Sequence, residues 1–208
     1  SLMSIEIKKS IKPVNYLEAL NILEERVDKI IKNQEKELIW LLEHPSTFTG
    51  GVSSDEGDIL DKNINLIKTS RGGKITWHGP GQLICYLVIN LNNRKKDIRN
   101  FINIIENSII ISLKSYGISS FSDRKNVGIW TKLNNKDVKI AAIGIKVKKW
   151  IAYHGFSINI KNDVSNYKKI IPCGIKDKSV DTLKNIKNQD YSKLYNKIIK
   201  NLVTNLKT

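Results

Sequence analysis

Two residues of this sequence, Cys173 and Lys139, could take part in nucleophilic catalysis. Cys173 lies between Pro172 and Gly174, which predict a sharp, exposed turn rather than a core strand. An ordinary thiol is only a few per cent thiolate at neutral pH, so a cation or base must activate it. Lys139 opens a run of small and apolar residues, 139–144, where a substrate could pack closely. Each residue also has a plainer interpretation, as an idle surface thiol and as one solvated lysine among many.

Residues 71–82 form the most unusual stretch of the chain. Four glycines and a proline in twelve residues exclude a regular helix and expose backbone N–H groups to a ligand. Arg71 offers a positive fork, Thr76 a hydroxyl and His78 a donor or base. The glycine spacing does not match a P-loop. The stretch is therefore either a ligand-binding loop or a tight turn that happens to be rich in glycine.

The remaining cysteine and histidines have simpler expected roles. Cys85 lies in an apolar strand and is expected to be an inert core residue. His154 is expected to be a strand histidine with its hydrogen bonds satisfied, and His44, before Pro45, a loop residue. Three histidines without a CxxC pair argue against a zinc site, so no metal is expected. Two separate thiols and no export signal predict a reducing compartment, the cytoplasm.

Apolar periodicity predicts three helices and several strands. Helical spacing covers residues 15–34, 97–115 and 191–206, with Gly117 ending the second helix. Strands are expected at 37–42, 64–68, 83–91, 127–131, 138–147 and 151–160, with tight polar turns such as Asn134-Asn135. No apolar run approaches the roughly 20 residues that cross a bilayer. We expect one α+β domain over residues 1–208, in which residues 1 and 2, before Met3, are a cloning remnant.

The charge of +15 is uneven along the chain. Residues 139–208 contain 15 lysines, no arginine or glutamate and 4 aspartates, a surplus of 15 − 4 = +11. Such a field attracts acidic partners, either nucleic acid or an acidic carrier protein. The alternative is drift in base composition, because lysine, asparagine and isoleucine are abundant together.

Several of these motifs together resemble the lipoate-protein ligase B family, the octanoyltransferases. The resemblance is carried, in chain order, by residues 43–45, 71–82, 139–144, 154–156 and 172–175. It runs from about residue 40 to residue 183, and Lys139 and Cys173 have the family's usual separation. Departures are mild: Trp77 replaces a usual tyrosine and could reshape an acyl pocket, and Leu87 stands where proline is common.

The resemblance implies the biotin/lipoate protein ligase fold, a mixed or antiparallel sheet with flanking helices. It implies octanoyl transfer from octanoyl-acyl carrier protein to a lysine of a lipoyl domain, without ATP, metal or other cofactor. The implied acceptors are the lipoyl domains of 2-oxoacid dehydrogenase complexes and the glycine cleavage H protein. A monomer is expected, with no nucleic-acid or membrane partner.

The resemblance makes Cys173 and Lys139 the catalytic pair. The substrate-binding residues it implies are Arg71, Gly72, Gly73, Lys74, Ile75, Thr76, Trp77, His78, Ala142, Ile143, Gly144, Gly155, Phe156 and Ser157. Lys139 would first stabilise the Cys173 thiolate as an ion pair and then, once the thiol is acylated, accept a proton from the incoming lysine. Backbone N–H groups near Gly174 or His78 could form the oxyanion hole, and the sequence does not choose between them.

Two other functions compete with this one. An ATP-dependent lipoate or biotin ligase would use the same fold and needs no catalytic cysteine, so the turn around Cys173 favours the transferase. A basic nucleic-acid-binding module requires exposed aromatic residues among its basic ones. Here most aromatic residues lie in apolar strands or on helix faces.

Overall fold

A mixed β-sheet covered by helices on both faces is the scaffold of the molecule. The computed structural model describes residues 4–171 and 179–207. Its strands are β1 (Ile5–Lys9), β2 (Glu37–Leu42), β3 (Thr47–Gly50), β4 (Leu66–Lys68), β5 (Ile75–His78), β6 (Gln82–Asn90), β7 (Phe121–Ser122), β8 (Ile129–Leu133), β9 (Lys136–Lys148), β10 (Ile151–Asn159) and β11 (Ser179–Val180). Its helices are α1 (Tyr16–Ile31), α2 (Ile98–Lys114), the single turn α3 (Leu183–Ile186) and α4 (Leu194–Leu206).

The strands of the described residues form two sheets. The larger has the order β1-β2-β6-β10-β9-β8-β7, with β11 also paired to β9, and the smaller has the order β4-β3-β5. The β1–β2, β9–β11 and β3–β4 pairs are parallel, and the other pairs are antiparallel. Asn134 and Asn135, both with positive φ, turn the chain between β8 and β9. Asparagine tolerates this left-handed conformation better than most residues, as a two-residue hairpin turn requires.

The helices occupy opposite faces of the large sheet. Helix α1 is capped by the Asn15 side chain and buries residues such as Leu23 and Val27 against one face. Helices α2 and α4 pack on the other face, where they enclose the larger apolar core. Ser108 and Ser112 of α2 accept hydrogen bonds from Asn205 and Asn201 of α4, so polar pairs fix the register of the two helices. The sheet therefore separates an α1 layer from an α2–α4 layer.

The long elements confirm the sequence predictions, and the short ones correct them. All three predicted helices form, each one to three residues shorter at one end or both. The strand predicted at 127–131 begins two residues later, because Val127 is exposed and Ile129 is buried. The sequence prediction missed β1, β3, β5, β7, β11 and α3, which have two to five residues each and too little pattern to count.

Candidate functional site

The α1 face of the sheet carries a cavity of about 280 Å³. Its floor is formed by the central strands β6, β9 and β10, and the glycine-rich segment 71–74 lies over one side. Twelve of the fourteen residues expected to bind substrate line it: Arg71, Gly72, Gly73, Lys74, Thr76, His78, Ala142, Ile143, Gly144, Gly155, Phe156 and Ser157. Lys139 lines it too. The sequence motifs thus meet in one place although up to 86 residues separate them.

Two of the expected substrate-binding residues face elsewhere. Strand β5 alternates, so Thr76 and His78 face the cavity while Ile75 and Trp77 point into a separate apolar cluster with Phe48, Tyr167 and Ile170. Trp77 is buried, and its indole N–H donates to Ser46 Oγ at 2.9 Å. The expectation that Trp77 reshapes an acyl pocket is therefore not supported by its position.

Other lining residues were missed at the sequence level. They are Tyr16, Ile84, Tyr86, Lys125, Asn126 and Val127. Strand alternation could have placed Ile84 and Tyr86 on one face, opposite Cys85, but nothing in the sequence says that this face carries a cavity. The segment 125–127 belongs to a polar loop with no distinguishing pattern.

Arg71 braces the glycine-rich loop. Its guanidinium donates to the main-chain oxygens of Gly72, Lys74 and Thr49 at 2.9, 2.9 and 3.1 Å, and to the Thr49 hydroxyl at 2.8 Å. The positive fork expected to meet a ligand is thus largely occupied by the loop's own backbone. Only the planar, multiply donating guanidinium can make this set of contacts, which a lysine cannot reproduce. Arg71 holds the loop in place.

His78 presents a hydrogen-bond acceptor. The Gln82 amide group donates to Asn159 Oδ1 at 2.9 Å and to the Tyr167 hydroxyl at 3.0 Å. Gln82 Oε1 therefore faces His78 Nδ1, at 2.9 Å, and accepts a hydrogen bond from the Nδ1–H group. Burial, followed by the neighbouring His44, lowers the pKa of His78 to about 3. The imidazole is neutral at physiological pH, with its lone pair on Nε2.

His44 is a buried member of the site's foundation and not merely a loop residue. It is fully buried, and its ring nitrogens lie 2.7 Å from the Val14 carbonyl oxygen and 2.6 Å from the Tyr86 hydroxyl. The carbonyl can only accept, so Nδ1 carries the proton and Nε2 accepts from Tyr86. Burial lowers the pKa of His44 to about 4, so this ring is also neutral.

His154 corrects a second expectation. It lies in β10 and lines the cavity, but its Nε2 atom is buried without a hydrogen-bond partner among the described residues. Its φ is +72°, a left-handed value that is uncommon for a residue with a side chain. The next residue, Gly155, has φ +154°, and a Cβ there would lie 2.0 Å from the Cys85 carbonyl oxygen. Only glycine fits where β10 approaches β6 this closely.

Lys139 is buried rather than solvated, with 6% of its surface exposed. Its side chain lies over Gly128, where an added Cβ would come within 2.5 Å of Lys139 Cε. Its Nζ is 5.9 Å from the centre of the Trp130 ring, within cation–π distance. No carboxylate within the described ranges pairs with it. A lysine side chain that is buried without a carboxylate partner among the described residues is a strong candidate for chemistry.

The two cysteines differ in what the structure describes. Cys85 is fully buried in β6, and burial raises the pKa of its thiol far above the ordinary range, as expected for an inert core residue. Cys173 lies outside the described residues.

In the part of the chain that is described, no group of three His, Cys, Asp or Glu side chains could hold a metal ion. Within the same residues, no helix is long and apolar enough to cross a bilayer.

Comparison with solved structures identifies the fold. The bipartite lipoate protein ligase of Thermoplasma acidophilum superposes with a TM-score of 0.73 at 14% identity, over 99% of this chain and 84% of that one. A lipoate-protein ligase A bound with ATP gives 0.70 at 14% identity, over 99% and 85%. The α+β sheet with flanking helices is thus the lipoate protein ligase fold, as predicted.

Comparison with sequences identifies the family. The lipoyl protein ligase A/B catalytic domain matches residues 15–205. The octanoyltransferase of Anaplasma marginale (strain Florida) is 40% identical over 184 residues, covering 88% of this chain and 86% of that protein. The octanoyltransferase of Wolbachia sp. subsp. Brugia malayi (strain TRS) is 42% identical over 174 residues, covering 83% and 85%. The chain therefore belongs to the lipoyl protein ligase A/B catalytic-domain family, among its octanoyltransferases.

Proposed function

We propose that this octanoyltransferase works through a thioester on Cys173, with Lys139 as its partner. The Cys173 thiolate attacks the octanoyl thioester of the donor, the donor carbon–sulfur bond breaks, and the departing donor thiolate takes up a proton from solvent. The ε-amine of an acceptor lysine then attacks the acyl-Cys173 carbonyl, forming an amide and returning the thiol. The donor we expect is octanoyl-acyl carrier protein, and the acceptors are lipoyl domains of 2-oxoacid dehydrogenase complexes and the glycine cleavage H protein.

The buried ammonium of Lys139 is the observation that carries this proposal. It lines the cavity and has no carboxylate partner within residues 4–171 and 179–207. Val180 pairs with Lys139, and the Asp181 N–H donates to the Lys139 carbonyl at 3.0 Å. Cys173 precedes Val180 by seven residues, a span of chain that allows the thiol to reach Lys139. A thiolate would supply the missing anion.

A change of charge on Cys173 lets Lys139 perform both tasks. In the resting enzyme the thiolate stabilises the ammonium, and the ion pair increases the thiolate fraction. Acylation neutralises the sulfur, so the desolvated ammonium loses its stabilising anion and releases its proton to solvent. The resulting amine accepts a proton from the incoming lysine, which is almost entirely protonated at neutral pH.

The relatives support a transferase over an ATP-dependent ligase. The fold alone does not discriminate, since a lipoate-protein ligase A bound with ATP shares it. The relatives of about 40% identity are octanoyltransferases. Intact mass after mixing the protein with octanoyl-acyl carrier protein tests the point directly. An octanoyl adduct that forms without ATP supports the proposal, and product that appears only with ATP and free octanoate contradicts it.

The cavity residues give substrate binding a physical basis. The volume of about 280 Å³ suits a medium acyl chain, and the floor over Ala142, Gly144 and Gly155 lacks bulky side chains. Arg71 holds the glycine-rich loop at the side of this floor. Two thiols, Cys85 and Cys173, far apart in the sequence fit a reducing compartment, and we propose the cytoplasm.

Replacing Arg71 by lysine is expected to loosen the glycine-rich loop while preserving the fold. One ammonium cannot span the oxygens of Thr49, Gly72 and Lys74, so residues 71–74 should exchange amide hydrogens faster. Misplacing the loop should lower kcat/KM by about 10- to 100-fold. Arg124→Lys, at an exposed position near the cavity mouth, is the matched control. If Arg71→Lys and Arg124→Lys show equal amide hydrogen exchange and equal activity, Arg71 does not hold the loop in place.

Salt is expected to weaken the reaction with a carrier-bound donor. Lys74 and Lys125 line the cavity and are exposed, and residues 139–208 carry the +11 surplus. Opposite electrostatic fields on two proteins speed their association, and salt screens this attraction over about 8 Å at physiological ionic strength. Raising salt should therefore lower kcat/KM for octanoyl-acyl carrier protein, measured from initial rates.

A small neutral octanoyl thioester is the control for the salt prediction. It tests the chemistry at Cys173 without a protein surface that must dock. Its kcat/KM should change by less than about twofold over the same salt range, since a neutral substrate feels little steering. An equal response of the two donors would assign the lysine surplus to compositional drift.

A further inference from the structure

The side chain of His154 points to the face of the sheet opposite to the one that strand alternation dictates. Along β10, Ala152, Phe156 and Ile158 belong to the core under α2 and α4, while Tyr153 packs in the α1 layer. Regular alternation would direct residue 154 toward α2 and α4. Instead its ring stacks on the neighbouring Tyr153 ring, with centroids 5.1 Å apart and an interplanar angle of 24°, and lines the cavity. The φ of +72° makes this reversal.

This arrangement costs the folded protein stability in two ways. A left-handed φ strains a residue that carries a Cβ, and the buried Nε2 atom has no partner among the described residues. A core histidine would be expected to avoid both costs, as His44 does with its two hydrogen bonds. A strained residue on the wall of a cavity indicates that the position serves whatever enters the cavity.

The sheet register places His154 at the end of the cavity remote from Lys139. Ser157 pairs with Ala142, Gly155 with Gly144 and His154 with Ile145, so the three steps run along β9 away from Lys139. Six residues of strand separate Lys139 from Ile145, a distance of roughly 20 Å. An extended octanoyl thioester measures roughly 10 Å from sulfur to methyl, over eight bonds of ~1.25 Å each along the chain. Contact distances of ~4 Å at each end bring the total close to the strand distance.

We propose that His154 forms the end wall of the acyl channel and limits the length of the acyl chain that the enzyme accepts. The inference rests on the proposed function, in which the acyl group starts beside Lys139. An eight-carbon chain laid along Ala142, Gly144 and Gly155 brings its methyl end to the imidazole. A chain longer by four carbons has to displace the ring or fold back on itself.

The wall is rigid and uncharged. Tyr153, on which the ring stacks, is fixed by a hydrogen bond from its hydroxyl to Glu24 Oε1 at 2.9 Å. Burial first, and then the positive charges of Arg71 and Lys146, lower the pKa of His154 to about 4. The ring is therefore neutral at physiological pH. A neutral ring can face a methyl group without burying an ion against it.

Replacing His154 by glycine tests the wall directly. Glycine adopts φ +72° without strain and removes the whole ring. The variant should extend the channel, so the ratio of kcat/KM for dodecanoyl over octanoyl thioesters should rise by ~10-fold or more. His154→Asn, which also tolerates a left-handed φ but is shorter than histidine, should give a smaller rise. Asn135→Gly is the matched control, because it makes the same kind of change at another left-handed position that does not line the cavity, and its ratio should stay at the wild-type value.

Failure of the wall and failure of the enzyme function give different results. If the wild-type protein transfers octanoyl groups but both His154 variants keep its length preference, the end wall is wrong and the function stands. If no acyl group is transferred from any donor, the proposed function fails. Binding then tests the wall alone, through thermal stabilisation by non-transferable octanoyl and dodecanoyl ketone analogues of pantetheine. Only the His154 variants should be stabilised by the dodecanoyl analogue as much as by the octanoyl one, and equal stabilisation of the wild type would overturn the inference.

Discussion

Cys173→Ser is expected to abolish the octanoyl adduct and lower transfer by at least ~10³-fold. A serine hydroxyl beside Lys139 stays protonated at neutral pH, whereas a thiol beside the same cation is partly ionised. The measurement is intact mass after incubation with octanoyl-acyl carrier protein, followed by treatment with hydroxylamine, which cleaves a thioester.

Cys85→Ala is the matched control for Cys173→Ser. Cys85 is fully buried, and burial raises the pKa of its thiol, so it cannot serve as the nucleophile. Removing its sulfur leaves a small cavity in β6 and should cost about 1 kcal/mol of stability while the adduct persists. An adduct that survives in the serine variant at a hydroxylamine-resistant site would assign the acyl group to another residue.

Lys139→Met is expected to slow both half-reactions by roughly 10²–10³-fold, because it removes the proposed partner of the thiolate and the proposed base for the acceptor. It should also raise the pH midpoint for alkylation of Cys173 by about one unit or more. Methionine fills similar space beside Trp130 without burying a charge, so the free energy of unfolding should not fall. Alkylation rates across pH, with rapid-mixing rates for each half-reaction, provide the measurement.

Lys148→Met provides the matched control on the same strand. Lys148 is exposed, and its Nζ lies 3.1 Å from Asp28 Oδ1. A surface pair of this kind contributes little, so the variant should keep the wild-type midpoint and rates. An unchanged midpoint in Lys139→Met would exclude the ion pair. Loss of the second half-reaction alone would leave Lys139 as the base for the acceptor lysine.

The sequence predicted the long elements because each has a clear apolar period. Helices α1, α2 and α4 and strands β2, β6, β9 and β10 all follow from such patterns. Strand β5 did not, because the glycines around it were interpreted as loop and its four residues are too few to show alternation. The order in which the strands pair could not be predicted either, since it depends on contacts between residues distant in sequence, such as those of β6 with β10.

The cavity lining was predicted through motifs rather than through geometry. The resemblance named most of the lining residues but could not separate Trp77 from His78, which alternation directs to opposite sides. It treated Arg71 as a ligand contact, although the terminal guanidinium nitrogens donate hydrogen bonds to nearby protein oxygens. The reversal of His154 had no sequence signal, because the residue type alone does not show that a histidine has a left-handed backbone conformation.

The position of the cavity in the α1 layer, with the sheet between it and α2 and α4, has an evolutionary consequence. Substitutions in the α2–α4 layer reach the floor only through strands β6, β9 and β10, which pair along most of their length. That layer and its exposed lysines can therefore absorb mutational pressure, including the bias toward lysine, asparagine and isoleucine, so long as the polar pairs of α2 and α4 survive. A lineage under such pressure can change the exposed residues of these two helices while its catalytic chemistry stays intact.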